Sequence, residues 1–152
     1  MKPPALRIKS HWFKTGVARS PEQQAGAMAF IVWRTAHQML KRMRGAEFDI
    51  DAGEPYFGFL REVLVFAIAL TDRIAYARMD AAGREAFTAA LVRHVASTLA
   101  DNELELLGRR AGAASPADVF IDLVNEVTPH YAEFGADPQG APADVGFAPD
   151  FA

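Results

Sequence analysis

The chain has 152 residues, 51% apolar and 23% charged, which describes a single folded domain and excludes a disordered chain. It contains no cysteine, which excludes a disulfide framework, thiolate metal sites and a thiol nucleophile. A formal net charge of −3 gives no overall attraction to nucleic acid, and no nucleic-acid partner is expected.

The charge is zoned. Residues 1–19 carry Lys2, Arg7, Lys9, Lys14 and Arg19 without an acid, a local +5. Residues 20–134 hold 11 bases and 16 acids, a local −5, and residues 135–152 add Asp137, Asp144 and Asp150 without a base, a local −3. The chain therefore divides into a basic aromatic arm (1–19), a helical domain (20–134) and a Gly/Pro/Asp-rich tail (135–152). Alanine, the best helix former, supplies 29 residues, and no stretch alternates as a strand does.

Helix one is expected over 21–44. Ser20-Pro21-Glu22-Gln23 has the form of a capping box with proline in the first turn. Ala25, Met28, Ala29, Val32, Ala36, Met39, Leu40 and Met43 follow at helical spacing, and Lys41, Arg42 and Arg44 suit the negative end of the helix dipole. Phe30, Ile31 and Trp33 fall off that stripe, so more than one face of this helix is expected to be covered.

Helix two is expected over 55–79. Its middle, Val63–Leu70, reads VLVFAIAL and is apolar nearly all round, which marks either a central element or an interface. The run is far short of the ~20 residues that span a bilayer. With no apolar leader after Met1, the expectation is a cytoplasmic protein without a membrane span.

Helix three is expected over 81–107, capped by Asp80 and ended by Gly108, with Asp101-Asn102 a place to kink or split. Helix four starts at Ser115-Pro116 and carries Phe120, Leu123, Val124, Val127, Tyr131 and Phe134 in a stripe. Pro129 is expected to break or kink it, because proline removes a backbone hydrogen bond and crowds the preceding turn. Four helices on short connections predict an all-α, antiparallel up-down-up-down four-helix bundle, with the arm and tail along its outside.

Each helix carries one potential metal ligand or more: His37, Glu62, His94, and Glu126 with His130. In antiparallel packing His37 and Glu62 lie about 10 Å from one end of the bundle, and His94 and His130 about 20 Å from it. That permits two level pairs and no compact four-ligand cluster, so these are candidate ligand or metal residues with no metal committed. Glu62 and Asp72 are acids in the most apolar helix. Neighbouring Arg61 and Arg73 favour ion pairs that fix helix register over a catalytic carboxylate pair. The four serines include no nucleophile elbow, and no glycine-rich phosphate loop is present. Gly108-Arg109-Arg110-Ala111-Gly112 reads as a solvated loop that a phosphate could meet. Met28, Met39, Met43, Phe30 and Trp33 suit either core packing or a pocket for a small apolar ligand.

The reading these residues favour is a non-catalytic bundle that works by association, as a homodimer or as an accessory subunit. Its candidate interface residues are Trp12, Phe13, Trp33, Phe147 and Phe151. The alternative is a bundle that binds a ligand or metal between its helices. No cofactor is assigned.

Overall fold

The computed structural model describes residues 18–48, 50–51 and 53–132. Trp12, Phe13, Phe134, Phe147 and Phe151 lie outside the described residues, as do nearly all of the arm and the whole tail. The described chain forms four helices: α1 (Pro21–Gly45), α2 (Glu54–Tyr76), α3 (Ala81–Leu107) and α4 (Pro116–Ala132).

Local chemistry accounts for the starts. The Ser20 hydroxyl accepts from the Gln23 amide at 3.2 Å, and the Gln23 side chain accepts from the Ser20 amide at 3.1 Å. Two amides that the first turn cannot satisfy are thus satisfied together. Asp80 caps α3 by accepting from the Gly83 amide at 2.7 Å. At the other end of α3, Gly108 takes φ 73°, a left-handed conformation that glycine adopts without the steric cost of a Cβ.

Two boundaries differ from expectation. Helix α2 stops at Tyr76, and the Arg78 and Met79 amides both turn back to the Ala75 carbonyl, which closes the connection to α3. Helix α4 runs through Pro129 as one element to Ala132. The proline removes one backbone hydrogen bond to the preceding turn without ending the helix. Helix α3 is likewise continuous through Asp101-Asn102.

Helix α1 packs most extensively on α3, and α3 also carries α4 and α2. Helix α2 touches all three others, whereas α1 and α4 do not meet among the described residues. Round the bundle the order is therefore α1, α2, α4, α3, with α2 and α3 on the short diagonal. In the simplest up-and-down bundle α1 and α4 would be neighbours. Arg61 pairs with Glu103, and Asp72 with Arg84, so α2 and α3 run in opposite directions.

Small residues explain the dominance of α1 on α3. Ala25, Ala29 and Ala36 are buried on α1, and Ala90 is buried one turn before His94 on α3. A Cβ on Gly26 would lie 3.7 Å from Nε2 of His94. Small side chains let two helix axes approach toward the ~8 Å limit of helix packing. The alanines of α1 thus give it a small-residue buried face as well as forming helix. In the same core, Leu40, Phe57, Leu60, Leu64, Leu91, Leu99 and Phe120 are almost wholly buried. Burying each contributes about 1.5–3 kcal/mol. No polar or charged residue is fully buried among the described residues.

Candidate functional site

Helix α2 has two apolar faces. The inner one, Phe57, Leu60, Leu64, Val65, Ile68 and Ala75, is buried in the core. The outer one bears Phe59, Phe66 and Ile74, which are 40%, 55% and 42% exposed, with Val63 and Leu70 half-buried between them. Residues 59, 63, 66 and 70 advance by 4, 3 and 4, the spacing of a helix–helix seam. The Phe66 ring meets the Tyr131 ring of α4 edge-on, with ring centroids 6.0 Å apart. On α1, Phe30 and Ile31 are also exposed. Outer apolar side chains in a row, in place of scattered ones, are unusual for the solvent side of a helix.

A second feature is polar. Where α2, α3 and α4 come together, Asp72 receives a two-pronged Arg84. Arg84 Nε donates to Oδ1 at 3.0 Å, and Nη2 donates to Oδ2 at 2.6 Å. The Thr88 hydroxyl donates to the same Oδ1 at 2.7 Å. The hydrogen bond to Asp72 is the main reason that the Arg84 pKa is raised above its ordinary value. The guanidinium also lies 5.0 Å from the centre of the Tyr76 ring, within cation–π range. Both carboxylate oxygens are therefore engaged, and Asp72 buttresses an arginine across the α2–α3 hairpin. A cleft of about 360 Å³ opens beside this network, between Ile68, Arg73, Val124, Thr128 and Tyr131. An adjoining cleft continues between α3 and α4 past Thr88 and Arg93.

A third feature lies at the opposite end of the α2–α3 hairpin. Arg61 Nη2 donates to Glu103 at 2.6 Å, and both side chains are nearly buried. Arg61 Nε and Glu103 Oε2 are buried without a hydrogen-bond partner. They border a cleft of about 550 Å³ roofed by the Gly108–Ser115 loop, where Arg110 lies 4.0 Å from Glu54.

The residues expected at a ligand or metal site are spread out. Among the described residues, no three His, Asp or Glu side chains are grouped where they could hold a metal ion. His37 is exposed, and its Nδ1 is hydrogen-bonded to the Tyr56 hydroxyl at 2.9 Å. Glu62 is exposed on α2, His94 is exposed beside Gly26, and Glu126 and His130 are exposed on α4. Trp33 is half-buried against the core, and Met28 joins it there, while Met39 is 40% exposed. No helix among the described residues is long and apolar enough to cross a membrane.

Sequence reasoning named α2 as apolar all round but did not single out Phe59, Phe66 and Ile74. The signal was present: Phe66 follows Phe57 by nine residues, about half a turn round the helix. Arg84 and Thr88 were also missed, because their meeting with Asp72 depends on the hairpin turn and not on local spacing. No family model, curated protein or solved structure matches the chain.

Proposed function

We propose that the protein acts without catalysis, by self-association through the outer face of α2. The observation that carries this reading is the row of exposed Phe59 and Phe66 with half-buried Val63 and Leu70, set opposite the core-facing side of the same helix. A helix normally spends one face on its own core and leaves the other polar.

A second copy in the opposite direction is the occupant that fits. Antiparallel pairing about a two-fold axis sets Phe59 against the partner copy's counterpart of Leu70, and Val63 against that of Phe66. Every layer then joins an aromatic ring to a smaller aliphatic chain, as interdigitating seams require. Charge favours the same direction: Glu54 and Glu62 lie toward the start of α2, and Arg78 just beyond its end. Antiparallel pairing brings acidic ends to basic ends, and parallel pairing brings like ends together.

Sedimentation velocity of the full chain and of Phe66→Glu tests the reading. The expected result is a dimer for the parent chain at micromolar concentration and a folded monomer for the variant. Circular dichroism would report the fold of each. A parent chain that sediments as a monomer, with or without a different protein as partner, overturns it. So does a variant that remains dimeric.

A further inference from the structure

The cleft between α2, α3 and α4 holds a positive charge that its surroundings leave unanswered. Two guanidinium groups and one carboxylate line it: Arg73, Arg84 and Asp72. Arg84 is matched, with its fork seated on Asp72. Arg73 has no such match. Its Nη1 is closed off from solvent without a hydrogen-bond partner, and no ion pair is recorded for it among the described residues. As a residue lining the cleft, Arg73 offers a cation with no carboxylate paired to it among the described residues.

The other walls say what kind of molecule would answer that cation. Ile68, Ala69 and Val124 are aliphatic, and Tyr76 and Tyr131 add rings. A volume of about 360 Å³ suits a small organic molecule. One net positive charge suits a single carboxylate better than a doubly charged phosphate ester. Guanidinium matches carboxylate in planar, two-pronged geometry. The Asp72–Arg84–Thr88 network is already satisfied within itself, so it supplies a fixed polar floor.

We propose that this cleft binds a small monocarboxylate with an apolar body, Arg73 taking the carboxylate and Ile68, Val124 and Tyr131 holding the body. The proposal uses none of the charge or packing arguments for the α2 seam, and it stands or falls separately from self-association.

Calorimetric titration of the full chain with hexanoate, and with hexan-1-ol as the uncharged molecule of the same length, tests it. Amide NMR would locate the bound molecule. Hexanoate is expected to bind at least tenfold more tightly than hexanol, with shifts centred on Thr88 and Val124. Arg73→Met keeps much of the side-chain length without the charge, and is expected to weaken hexanoate binding tenfold or more and leave hexanol binding unchanged. Equal binding of the two probes by the parent chain overturns the proposal, as does unchanged hexanoate binding in Arg73→Met. If that variant does not fold, the comparison of the two probes on the parent chain still decides. Shifts that leave Thr88 and Val124 unmoved also contradict it.

Discussion

Phe57 and Phe66 stand on opposite sides of α2, one 2% exposed in the core and the other 55% exposed with its ring edge-on to Tyr131. The same side chain on one helix therefore has two physical situations, and substitution separates them. Phe57→Ala is expected to destabilise the fold by about 3–5 kcal/mol, the cost of deleting a buried ring and leaving a cavity. Phe66→Ala is expected to alter the intrinsic stability of the monomer little, and to make urea unfolding independent of protein concentration, because a dimer's stability depends on concentration and a monomer's does not.

Asp72 ties α2 to α3. Asp72→Ala removes the acceptor for Arg84 and Thr88 at once. The side chains of Asp72 and Arg84 are 20% and 36% exposed, so solvent moderates the loss, and a destabilisation of about 1–3 kcal/mol is expected. An Arg84→Ala variant should lose much of the same energy, and the double variant should cost less than the two single changes together. Urea unfolding of the four proteins measures this coupling.

Tyr56 gives the chain a dependence on alkaline pH. Burial pushes its phenol above the ordinary pKa of 10.0, with the positive charge of Arg44 pulling the other way. The folded state thus holds the phenol proton more tightly than the unfolded chain does. That contribution is complete below pH 10.0 and is lost as pH rises through the folded value. Stability should fall more steeply above that pH in the parent chain than in Tyr56→Phe, as thermal unfolding across the alkaline range would show.

Gly108 ends α3 at φ 73°, where a side chain is strained whatever space surrounds it. Gly108→Ala is expected to cost about 1 kcal/mol, and Gly45→Ala, inside the end of α1 with nothing near its missing Cβ, to be neutral or mildly stabilising. Melting temperatures of the two variants compare them directly.

Direction of pairing is also measurable. The chain lacks cysteine, so Ala77→Cys offers one labelling position, exposed just past the end of α2. Antiparallel seams centred between Leu64 and Val65 place the two labels about 38 Å apart along the helix axis. A parallel seam brings them side by side. Spin-label distance measurement distinguishes the two.

What the sequence made legible was whatever local chemistry settles. The capping box at Ser20 and Gln23 needs only residues three apart, and it formed as read. The stripe on α4 was legible for the same reason, but a break at Pro129 did not follow, because the loss of one backbone hydrogen bond leaves the element continuous to Ala132. On α1 the periodicity placed Met39 in the stripe, yet it is exposed, at the edge of the arc buried at Ala25, Ala29, Val32, Ala36 and Leu40. The apolar circumference of α2 was legible, but its division into a core side and an outer side was not, because periodicity cannot say which of two opposite apolar faces meets the core. The grouping of Asp72, Arg84 and Thr88 was hidden because it depends on the turn after Tyr76 bringing α3 back along α2.

The central claim is that the outer α2 face joins two copies of this chain. Native mass measurement of the untagged protein at micromolar concentration tests it most directly. The expected dominant species has twice the 16.6 kDa chain mass, reduced to the single-chain mass by Phe66→Glu. A parent protein found only at the single-chain mass would contradict it.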